Sequence, residues 1–392
     1  MSAMRTDVLI VGGGLAGART GESLRAAGFD GTVTIAGAEP HAPYERPALS
    51  KEYLLGDRPA ADLALRPAGF WDEAAIELLT DTAVVSVDIH GREAHAGNRV
   101  IRWRHLVLAT GASVRRLPAL EGGGNVHHLR TLDDAGRLGD ALASASRLAI
   151  VGAGFVGLEV ASSARRLGAS VTVIDLSPIP FAAALGPLVG TRMAAFARDS
   201  GVDLQLGRTI ASVRRDGNRV RRLVLDNGTE IDCDAVLVGI GARPTSDLVA
   251  RQLPLEGDGS VAVDAAGRTA AECVFACGDV ACVSRGATPS GRVEHWTAAA
   301  AGARAVASAI TGTPQPPPLP AYFWTDQFDS RLQVLGRIER GVEPELQSGD
   351  GWFVARYLGR DKRLQAVALL NRPDLLQTAR HELAGRPIAD AA

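Results

Sequence analysis

The sequence predicts an α/β protein: two doubly wound, Rossmann-like nucleotide-binding domains followed by a small α+β domain. Three observations carry this. A strand running into G-x-G-x-x-G occurs twice, as Val8-Leu-Ile-Val-Gly-Gly-Gly-Leu-Ala-Gly17 and Leu148-Ala-Ile-Val-Gly-Ala-Gly-Phe-Val-Gly157. Each segment so opened closes on an apolar strand and a Gly turn, Leu106-Val-Leu-Ala-Thr-Gly-Ala112 and Ala235-Val-Leu-Val-Gly-Ile-Gly-Ala242. The C-terminal residues 321–392 hold alternating runs such as Leu332-Gln-Val-Leu-Gly and Trp352-Phe-Val-Ala-Arg-Tyr-Leu, which suit a small antiparallel sheet ending in a helix.

In order, the first unit reads strand, Gly turn, helix over residues 16–27, strand over 32–36, then a Pro-rich stretch. Its turn residues are Gly12, Gly14, Ala16 and Gly17, and the three glycines have one job each. The first Gly makes the turn, the second lets backbone approach a diphosphate, and the last lets helix pack on strand. The diphosphate then meets a helix N-terminus. A fresh βαβ unit starts at Arg147, with Gly152, Gly154, Val156 and Gly157 in the same roles. Each copy follows a strand and opens a helix, the context the motif needs. The parallel organisation is that of an internal duplication, and two nucleotide sites imply two cofactors with electron transfer between them. After Arg243-Pro244 comes Val274-Phe-Ala-Cys-Gly-Asp-Val280, then an Ala-rich helix over about 294–310. We read this stretch as returning to the first domain. The expected boundaries are 1–112 with 243–316, 113–242, and 317–392, with a stiff proline-rich linker at 311–320.

Composition narrows the function classes. At 392 residues the chain exceeds one hydrophobic core. Apolar content of 46% and charge of 22% suit a soluble globular protein, and a net charge of −2 gives no support for nucleic-acid or membrane-surface binding. No apolar run is long enough to span a membrane, and the N-terminus reads as a buried strand rather than a leader, so the cytoplasm is the expected location. The four cysteines, Cys233, Cys273, Cys277 and Cys282, make no C-x-x-C and no zinc spacing, so no metal site is expected. None precedes residue 233, which excludes a redox disulfide beside the first Gly turn. Of 42 basic residues only Lys51 and Lys362 are lysine, so Lys51 stands out in a chain that otherwise uses arginine.

The acid after the second strand of each unit separates the two sites. Val171-Thr-Val-Ile-Asp175 places a carboxylate 18 residues past Gly157, where it can accept from ribose hydroxyls or be a solvated strand-end acid. It repels a 2′-phosphate, and Leu176-Ser-Pro-Ile supplies no arginine to receive one, so NADH is favoured over NADPH. In the first unit Ala38 stands where the acid is expected and Glu39 follows; either Glu39 takes the role or the hydrogen bond is absent or water-mediated.

Directly after it runs Glu39-Pro-His-Ala-Pro-Tyr-Glu-Arg46-Pro-Ala-Leu-Ser-Lys51. With Ala109-Thr110-Gly111, Cys277-Gly278-Asp279, Glu294-His295-Trp296 and Tyr322-Phe-Trp324-Thr-Asp-Gln-Phe-Asp, it resembles the FAD-dependent ferredoxin reductases of the putidaredoxin and rhodocoxin reductase group, over essentially the whole chain. The resemblance implies a glutathione-reductase-like arrangement with FAD in the first unit and NADH in the second. Glu39, Arg46, Lys51, Val84, Thr110, Gly111, Arg130, Gly278, Asp279, His295 and Trp296 fall among its FAD contacts, and Asp175 and Gly241 at the NADH site. It pairs Lys51 with Glu159, read as a first-turn residue of the second-unit helix and alternatively as an acid complementing the helix dipole. It sets Trp324 over the flavin or nicotinamide, a core tryptophan being the alternative. The family commonly has Asp at position 38 and basic residues at Ile179 and Ala183, from which this chain departs. The implied activity passes hydride from NADH to FAD and single electrons to a [2Fe–2S] ferredoxin, which feeds a haem monooxygenase or ring-hydroxylating dioxygenase. The chain itself would be a monomer or weak dimer, and exposed Arg66, Arg331, Arg337 or Arg363 are candidates for docking the ferredoxin. Rival expectations are a rubredoxin or quinone reductase and an NADH-sensing, non-catalytic flavoprotein; an NADH oxidase or disulfide reductase is disfavoured by the cysteines.

Overall fold

A computed structural model describes residues 3–285, 288–289, 292–315, 317 and 320–385. The proline-rich linker expected at 311–320 therefore lies partly outside the described residues. The chain forms two compact units: Met1–Glu45 with Leu63–Ser113 and Ala242–Leu319, and Arg46–Asp62 with Val114–Gly241 and Pro320–Ala392.

In the first unit, β1 (Ala3–Val11) feeds α1 (Leu15–Ala26), which returns to β2 (Val33–Ala36). A long strand, β3 (Arg99–Leu108), lies on the other side of β1, and both pairings are parallel, with Ile10 between Ile35 and Val107. Ile76–Leu79 extends the sheet beyond β2, and the antiparallel pair Ser86–Asp88 and Glu93–Ala96 extends it beyond β3. Val274–Ala276, from the end of the unit's sequence, pairs in parallel with the C-terminal part of β3. Val8, Leu9 and Ile10 are fully buried because helices or loops cover both faces, which is why these strands read as unbroken apolar runs. The helix Trp296–Thr311 packs on α1 through Ala299, Ala303, Val306 and Ala307, small side chains that let the two approach.

The second unit repeats the pattern. After α2 (Leu132–Leu142), β4 (Arg147–Val151) feeds α3 (Phe155–Arg166) and β5 (Ser170–Asp175). The parallel sheet runs Asp203–Leu206, β5, β4, β6 (Ala235–Val238), Val126–His127. A three-stranded antiparallel ribbon, Ile210–Asp216 with Arg219–Leu225 and Glu230–Asp232, is added between β5 and β6. The C-terminal part is a five-stranded antiparallel sheet that opens with β7 (Tyr322–Gln327) and is followed by the helix Leu376–Leu383. One apolar cluster joins α3 and β4 to this sheet through Leu158, Val160, Leu332, Phe353 and Tyr357, and the Tyr357 hydroxyl donates to the Leu185 carbonyl at 2.5 Å. Residues 157–164 of α3 are all buried, so this helix is enclosed rather than amphipathic. The helix Ala182–Asp199 bends at Gly186-Pro187, where φ of Gly186 is +78°.

Candidate active site

The two Gly turns have the same geometry. Gly12 has φ +124°, and a Cβ there would lie 2.1 Å from the Ala109 carbonyl oxygen; Gly152 has φ +112° and would meet the Gly239 oxygen at 2.3 Å. Gly17 and Gly157 would each place a Cβ 2.0 Å from the oxygen of the turn's own first glycine. Only glycine fits these four positions. Each turn ends in a glycine N-cap, Gly14 or Gly154, with no side-chain cap and no acid in the first helical turn. The helix α2 supplies the contrast: Thr131 accepts from the Asp134 amide, the Asp134 carboxylate accepts in return, and Asp133 adds charge. Thus α2 caps a first-turn amide with a side chain, whereas α1 and α3 carry no side-chain cap, the arrangement an anion can use. The residues present fit a diphosphate at both turns.

In the first unit the turn is closed by the segment after Val274–Ala276. Gly278 has φ +76°, and a Cβ on it would sit 2.8 Å from Ala16 Cβ, so its glycine permits the 278–280 turn to touch the first turn of α1. That contact brings Asp279 to the turn. Arg292, almost buried, holds this region together: it donates to the Asp279 carbonyl at 3.2 Å and pairs with Asp258 at 3.1 Å and with Glu294. His295 is the N-cap of Trp296–Thr311, a helix whose first turn is also free of acid; burial pushes the imidazole below its ordinary range against the opposing pull of Asp279. Thr110 donates to the Thr245 carbonyl at 2.6 Å, Gly111 has φ +69°, and Val84 packs at the edge of the core beneath the sheet. Glu39 receives the Tyr44 hydroxyl at 2.5 Å, while Ala38 is exposed.

The second unit brings together Lys51 and Glu159. The ammonium lies 3.1 Å from Glu159 Oε1, and both side chains are buried. Ser50 donates to Glu159 Oε2 at 2.5 Å and Thr325 to Oε1 at 2.7 Å; Gln327 Nε2 donates to Thr325 at 2.9 Å. Ser163 Oγ donates to the Ser50 carbonyl at 2.7 Å, fixing the segment that carries the lysine. Expected in the first helical turn, Glu159 is in fact the fifth residue of α3, because the helix begins only at Phe155. Enclosure among buried neighbours, rather than the helix dipole, sets its surroundings. Arg46 donates to the Arg130 carbonyl at 2.5 Å, and both belong to this unit with Lys51. At the end of β5, Asp175 accepts from the Ala153 amide at 2.6 Å and the Ser177 amide at 2.7 Å, which leaves further acceptor sites on the carboxylate. Val156 and Leu176 beside it are exposed. Gly241, φ +93°, accepts from the Arg115 amide. Trp324 stacks on Tyr322 at 5.9 Å, on the strand face opposite Thr325 and Gln327.

Ser50, Thr325, Gln327 and Arg292 were not singled out by the sequence. Thr325 and Gln327 stood inside the quoted Trp-Thr-Asp-Gln run, and the period of two along a strand was the signal that placed them together.

Residues 6–303 match the pyridine nucleotide-disulphide oxidoreductase family, and residues 322–392 match the reductase C-terminal family. The chain belongs to the pyridine nucleotide-disulphide oxidoreductases. Among its relatives, rhodocoxin reductase of Rhodococcus erythropolis is 36% identical over 386 residues, covering 96% of this chain and 89% of that one. The ferredoxin reductase component of chlorobenzene dioxygenase from Cupriavidus sp. (strain PS12) is 37% identical over 385 residues, 96% and 92% of the two chains. Putidaredoxin reductase, solved in covalent complex with putidaredoxin, matches with a TM-score of 0.92 and 28% identity over 97% of this chain and 93% of that one. Unlike the disulphide chemistry in the family's name, Cys233, Cys273 and Cys277 are not disulphide-bonded, and burial pushes the thiols of Cys233 and Cys277 up to about 11. Among the described residues no group of three or more His, Cys, Asp or Glu could hold a metal, and no helix is long and apolar enough to cross a membrane.

Proposed function

We propose that this chain is an FAD-dependent NADH:ferredoxin reductase that feeds electrons through a [2Fe–2S] protein to a bacterial monooxygenase or dioxygenase. The single observation that carries this is the pairing of two anion-ready Gly turns, one of them followed by Asp175, in a chain whose relatives reduce ferredoxins. FAD, when bound, supplies a two-electron acceptor that releases electrons one at a time.

The chain's own residues bind and orient. The amides that open α1 take the FAD diphosphate, with Gly12, Gly14, Ala16 and Gly17 giving it room. Asp279 offers its carboxylate to a ribityl hydroxyl. The amides of Trp296–Thr311 favour negative charge at that helix's N-terminus, an effect of about 0.3–1 kcal/mol. Arg46 and Arg130 supply positive charge; Val84 supplies backbone for the adenine. On the NADH side the α3 amides take the diphosphate, Asp175 the adenosine ribose, and Gly241 leaves backbone space. Lys51, held by Glu159, presents a fixed ammonium for the hydride step, and Trp324 supplies an aromatic cover. The cytoplasm is the location we assign.

The test is NADH oxidation by the FAD-loaded protein with a [2Fe–2S] ferredoxin panel, a rubredoxin and a quinone as separate acceptors. Stimulation by at least one ferredoxin above the other acceptors is expected. Stimulation by rubredoxin or quinone alone, or a flavin that NADH reduces into a long-lived, acceptor-insensitive state, would replace this reading with a rival.

A further inference from the structure

The hydrogen-bond chain from β7 into Glu159 has a direction that can be derived. An ionised carboxylate only accepts, so Thr325, 2.7 Å from Glu159 Oε1, must donate its proton there. The threonine oxygen is then free to accept, and Gln327 meets it with its amide nitrogen at 2.9 Å. That choice turns the Gln327 carbonyl oxygen away, and Oε1 is left buried with no hydrogen-bond partner among the described residues. Gln327 is 2% exposed and Thr325 1%. A buried acceptor left unmet is unfavourable, so the arrangement is held by what lies at the other end of the chain, the Lys51–Glu159 pair.

We propose that Thr325, its hydroxyl aimed by Gln327, is a positioning residue that fixes the plane of the Glu159 carboxylate and through it the place of Lys51. The inference rests on the reading of Lys51 as the cation serving hydride transfer. The terminal torsion of a glutamate is broad. Ser50 secures Oε2, while Oε1, the oxygen that holds Lys51, is secured from the far side by Thr325. Without that hydroxyl the carboxylate can turn and the ammonium follows it. Trp324, immediately before Thr325 in sequence, lies on the other face of the strand and takes no part.

The chain's own composition provides a readout independent of turnover. Lys51 is buried and Lys362 is exposed, and no other lysines exist. Brief acetylation of the full-length FAD-loaded protein, followed by peptide mass spectrometry, gives the ratio of Lys51 to Lys362 modification. For Thr325→Val the ratio is expected to rise about fivefold as the buried pair opens more often. The rate of flavin reduction at saturating NADH is expected to fall about tenfold, the effect of losing one charge-assisted hydrogen bond, with the half-saturating NADH changing less than about twofold. Thr325→Ser restores both. Unchanged labelling and rate in Thr325→Val, or failure of serine to rescue, would each overturn the proposal. If NADH does not reduce even the unmodified protein, the functional reading fails instead, and the labelling ratios still decide whether the relay positions Lys51.

Discussion

Removing Lys51 while leaving Glu159 puts the buried pair to a quantitative test. The side chains are 11% and 8% exposed, and the ammonium has no other charged partner among the described residues. Breaking one side of a buried pair costs about 3–5 kcal/mol, mainly because the remaining charge is stranded. In Lys51→Met the stranded carboxylate keeps its bonds from Ser50 and Thr325, which places the loss at the lower end, about 3 kcal/mol. Glu159→Gln strands an ammonium with only an amide oxygen in reach, a loss of similar size. The double variant has no charge to strand and should recover to within about 1 kcal/mol of the parent, a coupling of about 5 kcal/mol against the sum of the two single losses. For a unit of this size 1 kcal/mol moves Tm by about 2–4 °C, so each single variant is expected to melt about 6–12 °C lower and the double variant close to the parent. Calorimetry of the FAD-loaded proteins reads this directly. Single-variant shifts that simply add would refute the coupling. Lys51→Met should also keep its flavin yet be reduced slowly by NADH; normal reduction kinetics would remove the lysine from the hydride step.

Two further outcomes follow from the geometry. Asp175→Ala combined with Leu176→Arg exchanges a carboxylate for a guanidinium at a position 73% exposed, where the longer side chain has room. The preference for NADH over NADPH should fall at least tenfold, about 1.4 kcal/mol, and an unchanged ratio of the two kcat/KM values would contradict the ribose assignment. The thiols of Cys233 and Cys277, pushed up to about 11 by burial, should resist an aromatic disulphide reagent at pH 8, with the thiolate fraction growing as pH rises toward 11. Rapid titration of either in the native protein at pH 8 would show that the site is open.

Much of this was legible because its causes are local. A Gly that must adopt positive φ against a neighbouring carbonyl, as at Gly12 and Gly152, leaves a mark in any sequence. So do fully buried strand residues such as Val8, Leu9 and Ile10 and the alternation along Trp352–Leu358. The helix expected over 294–310 is Trp296–Thr311, a shift of the size usual for helix ends. What the sequence hid is long-range. Arg46–Asp62 lies next to the first Gly unit in the chain but groups with the second unit, where Ser50 is tied to Glu159, 109 positions further on, and Lys51 pairs with the same carboxylate. Thr325 and Gln327 carry no signature by themselves; a carboxylate 166 residues away makes them functional candidates. Asp175 reads as a ribose acceptor, and no local pattern shows that its carboxylate already holds the Gly-turn amide of Ala153. The departures at Ala38, Ile179 and Ala183 were visible, and Glu39 with its Tyr44 hydrogen bond stands beside the first of them.

The assignment of one Gly turn to each cofactor can be tested at Gly154. Its φ of −80° suits any residue, and a Cβ there meets nothing within 4 Å, so Gly154→Ala should fold as the parent does. The same methyl group would stand where a diphosphate must approach the backbone. Measured by flavin content and NADH titration of one preparation, the variant should retain one FAD per chain with an unchanged spectrum and bind NADH at least about tenfold more weakly. Loss of the flavin with NADH affinity intact would reverse the two sites and contradict the account.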